Sequence, residues 1–280
     1  MIQHQLKSEE HAPEVSFGEM LPTMYDLPSE NPEEPGVPDQ FHTWQSELLT
    51  QTFVPPDYAP DRMMVGSDLN LYYDLNNRFN YKRPDWFAVL DVPYLYENRE
   101  GRLSYVIWNE KTPPFIVIEL LSPSTKNEDL GRTQRKSGKP PTKWKVYEQI
   151  LGVPYYIVYN RYKDRLRAFQ LKGGQYCEIL VPGNRMWLAG LNLGLGVWSG
   201  SFHTWERKWL RWYDADHNWI PTIVEQAEQE KHRAEQEKHR AEQEKHRADQ
   251  EKHRAESERQ RADILAAKLR ELGIDPVSLK

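Results

Sequence analysis

Residues 115–122 read FIVIELLS, and no other stretch limits the fold as much. Apart from Glu119 and the terminal Ser122, every residue here is β-branched, aromatic or leucine, the composition of a buried strand. On strand parity Phe115, Val117, Glu119 and Leu121 share one face, and Ile116, Ile118 and Leu120 share the other. Both faces are apolar, so the strand calls for cover on both sides. A carboxylate there is costly unless a cation or hydrogen bonds satisfy it. Glu119 is therefore either a salt-bridged glutamate at a strand end, just before Ser122-Pro123, or part of a site.

The chain of 280 residues, 38% hydrophobic and 28% charged, suffices for one sizeable domain with extra segments. No apolar run approaches the ~20 residues of a membrane helix. The N-terminal MIQHQLKSEEHAPE lacks the basic and apolar regions of a signal peptide. The single cysteine, Cys177, cannot form an internal disulfide and has no cysteine partner for a metal cluster, which fits a reducing cytoplasmic location. The net charge of −5 is unevenly spread. Residues 1–36 hold one lysine against eight acids, while residues 37–222 hold 23 basic and 20 acidic residues, net +3. The body is mildly basic once its acidic leader is set aside.

Residues 1–36, acidic and proline-containing, read as an extended leader. Asp39 is placed to cap a helix to about Gln51, with Phe41, Trp44, Leu48 and Gln51 at helical spacing and Glu47 on the exposed side. Strands are expected at Leu69–Tyr73, Asp85–Leu90, Leu103–Trp108 and Phe115–Leu121, with a hairpin loop from Asp91 to Arg102. A basic loop, Pro123 to Pro141, leads to a helix capped by Thr142 and stopped at Gly152. Tyr155–Tyr159 is a further strand, so residues 115–159 form a strand–helix–strand unit of a parallel or mixed sheet. Arg165–Leu171 and Tyr176–Val181 flank Gly173-Gly174 as a hairpin. Residues 186–220, rich in Trp, Leu and Gly, read as irregular β structure whose tryptophans pack rather than stack on bases.

From Ala227 to Ala262 alanine recurs every seven residues in units such as AEQEKHR. With no Gly or Pro, this predicts a long helix, with Glu228–Lys231 and Glu230–Arg233 as repeating pairs. As a coiled coil it is poor, because the alanine seam buries little; Ile264, Leu265, Leu269 and Leu272 offer a better one. His232, His239, His246 and His253 form a solvated face rather than a metal ladder.

Three residues carry the candidate chemistry. Asp85 opens a strand after Pro84, where a carboxylate can leave the sheet edge. Glu119 is the second. The third comes from the helix TKWKVYEQIL. On a wheel of about 100° per residue, Val146, Tyr147, Ile150, Leu151 and Trp144 form the buried arc. Lys143 falls inside that arc, and Lys145 falls on the solvent side. A lysine on a buried face needs a carboxylate partner or must snorkel. Two carboxylates on adjacent strands plus a lysine are the parts for metal-assisted phosphodiester cleavage. Between Lys126 and Lys145 lie seven basic residues against Glu128 and Asp129, a surface suited to a phosphate backbone.

RPDWFAVLDV, FIVIELLSPST and KWKVYEQILGVPYYIVYNR, in this order, resemble the Uma-two family, a branch of the PD-(D/E)XK nuclease superfamily. The resemblance covers roughly residues 37–200 and implies an α/β restriction-endonuclease-like core, a mixed central sheet flanked by helices. It also implies Mg²⁺ dependence, with Mn²⁺ as a substitute, and DNA as substrate. Asp85 then matches the aspartate of the PD element and Glu119 the (D/E) position, with the Leu120 backbone carbonyl as a further metal ligand. The superfamily lysine would stand two residues after Glu119, where this chain has Leu121. Lys143 is the candidate for a lysine moved to the following helix. Arg132, Arg135, Lys136, Lys139 and Lys145 are the candidate nucleic-acid contacts.

The expected division is a leader at 1–36, a nuclease-like domain at 37–222 and a helical, coiled-coil-like tail at 223–280. Two functions fit: a Mg²⁺-dependent DNA endonuclease, or a non-catalytic relative that binds DNA or a protein and forms a homo-oligomer through the tail.

Overall fold

The computed structural model describes residues 39–78, 80–135 and 138–273, and the chain divides into two compact units that meet between Asn218 and Trp219. The leader expected at 1–36 and Lys136 lie outside the described residues.

The first unit is α/β. Helix α1 (Gln40–Thr52) starts as expected: the Asp39 carboxylate accepts from the His42 amide at 3.0 Å. Its buried face holds Phe41, Leu48 and Leu49, and also Gln45, Ser46 and Thr52, whereas Trp44 and Gln51 are half-buried. The expected stripe is therefore displaced. Gln45 is fully buried because its amide acts as a strand neighbour: Nε2 donates to the Leu210 carbonyl and Oε1 accepts from the Leu210 amide, both at 2.8 Å.

The main sheet combines β1 (Met63–Gly66), β4 (Trp86–Leu90), β6 (Ile116–Leu120), β7 (Tyr155–Asn160), β8 (Arg165–Lys172) and β9 (Gln175–Ile179), in the order β1-β4-β6-β7-β8-β9. Only β6 and β7 pair in parallel; every other pair is antiparallel. The sheet is thus mixed, as the strand–helix–strand pattern required. β8 and β9 turn through Gly173 and Gly174, with φ of 59° and 80°, the left-handed pair that a tight hairpin demands.

A small sheet orders β3 (Tyr81–Lys82), β2 (Leu71–Tyr72) and β5 (Tyr105–Val106). This corrects the hairpin expected across Asp91–Arg102: the strands on either side of it, β4 and β5, belong to different sheets. The strand expected at Leu103–Trp108 is also shorter, because Ile107 opens the helical turn α2 (Ile107–Glu110).

β10 (Arg185–Leu188), β11 (Leu193–Phe202) and β12 (Trp205–Tyr213) form a regular antiparallel sheet, not irregular β structure. Two of its glycines misled the sequence reading. They are slots for rings: a Cβ on Gly194 would lie 2.0 Å from the Tyr213 ring, and one on Gly200 would lie 2.0 Å from Trp198. Trp209 and Trp212 are fully buried, which makes them packing residues.

β6 is buried on both faces. Val117 and Leu121 join Phe87, Val89, Tyr147, Tyr156 and Val158 in one apolar cluster. On the opposite side of β4, Trp86 meets Phe53 and Trp212, so α1 and the β10–β12 sheet cover that face.

The second unit is α5 (Ile223–Glu271), a helix of 49 residues, roughly 75 Å at 1.5 Å per residue. Thr222 and Glu225 close a capping box at its start. None of its residues is buried, and Ile264 and Leu265 are exposed. Its ion pairs run from Arg233, Arg240, Arg247 and Arg254 to the glutamate four residues on, as in Arg233–Glu237 at 3.2 Å and Arg254–Glu258 at 3.2 Å, in place of the Glu–Lys and Glu–Arg spacing of three. Among the described residues, no helix is long and apolar enough to cross a membrane.

Candidate active site

The site is built where β4 and β6 run side by side. Trp86 pairs with Ile118, so the same antiparallel register sets Asp85 across from Glu119. Asp85 precedes β4 and is half-buried; its Oδ2 accepts from the Leu120 amide at 2.6 Å. Glu119 is fully buried on β6.

The third part comes from the crossover between β6 and β7. Helix α4 (Lys143–Lys145) starts at Thr142, whose hydroxyl accepts from the Lys145 amide at 3.3 Å. The Lys143 amide donates to Glu128 Oε1 at 3.0 Å, a second cap from outside the helix. From Val146 to Ile150 the helix widens into a π turn, and the Leu151 amide bonds to the Val146 carbonyl at 2.9 Å. The wider turn shifts the residues at its end around the helix axis, so Ile150, expected in the buried arc, is exposed. Upstream of that turn the wheel holds: Lys143 points inward and Lys145 outward.

Lys143 Nζ lies 2.8 Å from Glu119 Oε2, and the Tyr147 hydroxyl donates to Glu119 Oε1 at 3.1 Å. Both glutamate oxygens are thereby engaged. Lys143 Nζ is also 3.4 Å from Asp129 Oδ1. Asp129 ends the short helix α3 (Lys126–Asp129) and is 1% exposed, and among the described residues its carboxylate oxygens have no well-formed hydrogen bond. Two contacts hold it there. The Tyr156 hydroxyl donates to the Asp129 carbonyl at 2.9 Å, and Gly131, at φ 68°, lets the loop pass against Trp144, where a Cβ would lie 2.7 Å from the indole.

Burial pushes the Glu119 carboxyl well above the ordinary range; Lys143 pulls it back, and the charges of Asp85 and Asp129 add to the rise. Burial raises the Asp129 carboxyl as well, with Lys143 opposing. Burial works against the Lys143 ammonium, but Asp129, then Glu119, then Asp85 hold it above its usual value. The Tyr147 hydroxyl is pushed up by burial and then by Glu119, so it stays a donor.

A second layer stands behind β6. His42 Nε2 is 3.1 Å from the Leu120 carbonyl, and its Nδ1 is 2.7 Å from Asp39 Oδ1. Arg161, just after β7, pairs with Asp39 Oδ2. Burial opposes the charge on His42, but Asp39 and then Asp85 raise its pKa. Protonated, it donates through both nitrogens, which ties α1 to the end of β6.

A model of the Uma2 family, described as "Putative restriction endonuclease", matches residues 17–200. The chain belongs to the Uma2 family. That description suggests a nuclease, and the PD-(D/E)XK superfamily is consistent with it. No curated protein matches the chain.

The Uma2 fold of this chain brings Glu119 and Lys143 into contact and Asp85 to the neighbouring strand. Arg132, Arg135, Lys139 and Lys145 are exposed, with Arg135 paired to Glu128 at 2.7 Å. Glu47 pairs with His203 at 2.8 Å. Asp129, Tyr147 and His42 escaped the sequence reading. Tyr147 looked like core, and Asp129 looked like a counter-charge in a basic loop. His42 stands next to the apolar Phe41 with no spacing to mark it.

Asp85, Glu119 and the Leu120 carbonyl, which also lies 3.1 Å from His42 Nε2, are hard oxygen donors of the kind a divalent cation such as Mg²⁺ takes. Among the described residues no three His, Cys, Asp or Glu side chains group as a metal site. Among the described residues the Lys143 ammonium is set against three carboxylates, Asp129, Glu119 and Asp85. The residues present fit a hard cation.

Proposed function

We propose that this chain is a Mg²⁺-dependent DNA endonuclease built on a restriction-endonuclease-like core. The observation that carries the reading is the Lys143–Glu119 pair at 2.8 Å, opposite Asp85 on the adjoining strand. The mixed sheet, with its parallel β6–β7 pair bridged by the α4 crossover, supports the core assignment.

Asp85, Glu119 and the Leu120 carbonyl would hold the divalent ion. Bound there, it would supply Lewis-acid polarisation of the scissile phosphate and acidify a water. Lys143, kept cationic by its carboxylate neighbours, stabilises charge developing on the phosphate rather than removing a proton. Tyr147 fixes the Glu119 carboxylate in orientation. Arg132, Arg135, Lys139 and Lys145 offer phosphate contacts along the adjoining loop, and Lys136 continues that run in the sequence.

The test is a pair of thermal melts, with and without Mn²⁺, for wild type and Glu119→Gln, beside a plasmid-nicking assay. Wild type should gain about 2.7 kcal/mol when Mn²⁺ is a hundredfold above its dissociation constant. Glu119→Gln should lose both that gain and the nicking. A wild-type melt indifferent to millimolar Mn²⁺, without nicking, would refute the nuclease and leave a non-catalytic DNA- or protein-binding relative.

A further inference from the structure

Asp129 has no evident structural reason for being charged. It is 1% exposed, among the described residues its two carboxylate oxygens have no well-formed hydrogen bond, and what eases its burial is Lys143 at 3.4 Å and, after it, Thr125. A buried carboxylate left this way is destabilising, and a neutral residue of the same shape would avoid the penalty. Lys143, for its part, is engaged closely with Glu119 at 2.8 Å and loosely with Asp129. The ammonium therefore sits among carboxylates that also suit a divalent ion, and an ion drawn to Glu119 Oε2 would compete with it there, Oε1 being engaged by Tyr147.

We propose that Asp129 is the second seat of the Lys143 ammonium. Without a divalent ion, Lys143 neutralises Glu119. When Glu119 turns its charge to the ion, the ammonium stays within the cluster by closing on Asp129. Asp129 is then a positioning residue: it touches neither substrate nor ion, and it lets one lysine serve first as a stand-in cation and then as a fixed charge beside the phosphate. The inference rests on the nuclease reading. It adds that lysine and divalent ion compete for Glu119, and that the competition is relieved through Asp129.

The experiment is a double-mutant cycle on Mn²⁺ affinity, measured by calorimetric titration of wild type, Asp129→Asn, Lys143→Met and the double variant. Each must first be shown to melt cooperatively, with Asp129→Ser as a smaller replacement if the asparagine disturbs packing. Lys143→Met should bind Mn²⁺ more tightly, because the competing cation is gone. Asp129→Asn should bind it at least about fivefold more weakly, the lower end of ordinary site coupling, because Lys143 then has no seat but Glu119. In the Lys143→Met background the Asp129 effect should vanish. An equal loss in both backgrounds would make Asp129 an ion ligand and overturn the exchange. Unchanged affinity in Asp129→Asn would also overturn it, while leaving the nuclease reading intact. Absence of Mn²⁺ binding in all four proteins would overturn the nuclease reading, and the exchange with it.

Discussion

The Tyr147 hydroxyl donates to Glu119 Oε1 across 3.1 Å, and both side chains are fully buried. Replacing Tyr147 with Phe keeps the ring but leaves one oxygen of a buried carboxylate without a partner. Tyr147→Phe should lower stability by roughly 1–3 kcal/mol, the cost of an unsatisfied buried group. The urea midpoint should fall with the slope unchanged. A midpoint equal to wild type would mean that the hydroxyl does not support Glu119.

Glu128 should make stability depend on acid pH. Burial opposes its charge, but Lys82, the Lys143 amide and Arg135 hold its pKa below the ordinary 4.5. A folded pKa lowered in this way contributes stability that is present above the unfolded value and lost as pH falls through the folded one. Glu128→Gln should be less stable than wild type at pH 7 by about 1 kcal/mol, a modest figure because the group is partly exposed. The difference should close as pH is lowered below the unfolded value. Denaturant midpoints of both proteins across that range check it; a gap that persists in acid would count against an ionic role.

The two lysines of α4 should separate. Lys143→Met should abolish cleavage, since the stem remains and only the charge beside Glu119 is lost. Lys145 is exposed, so Lys145→Ala should at most weaken DNA affinity and reduce its salt slope by about one. Plasmid cleavage and salt-dependent binding measure the two effects, and equal losses of turnover would contradict the assignment of Lys143 to the site.

α5 contributes no buried residue, so a chain ending at Thr222 should melt cooperatively as a folded domain. Calorimetry tests this, and a lost transition would show the tail to be integral. If the exposed Ile264 and Leu265 meet a second copy, sedimentation of both lengths should show the full chain heavier by whole subunits and the short one monomeric.

What the sequence disclosed depended on contrast. Glu119 and Lys143 were legible because each interrupts an apolar pattern, and their partnership came from the same logic. The parallel β6–β7 pair was legible from its crossover, and the β8–β9 turn from its two glycines. Asp129 was hidden because the loop around it is mostly polar, and Tyr156, whose hydroxyl reaches the Asp129 carbonyl, lies beyond local periodicity. Gln45 was hidden for the reverse reason, since the partner that makes an amide acceptable in the core is the backbone of Leu210. The π turn at Val146–Ile150 has no signature in residue type, so the wheel was accurate for Lys143 and failed at Ile150.

The bond between Gln45 and Leu210 spans 165 residues, and that between Asp39 and Arg161 spans 122. Such closures come late, because chain entropy is lost before the contact rewards it. On the ribosome, α1 emerges early but meets its wall only after β12 has been made. Until then Gln45 faces no Leu210, although the Arg161 that anchors Asp39 has already been made. The strands that place Asp85 and Glu119 can form, with α1 already made, before β12 is translated. The body is thus completed by its last strand rather than its first helix.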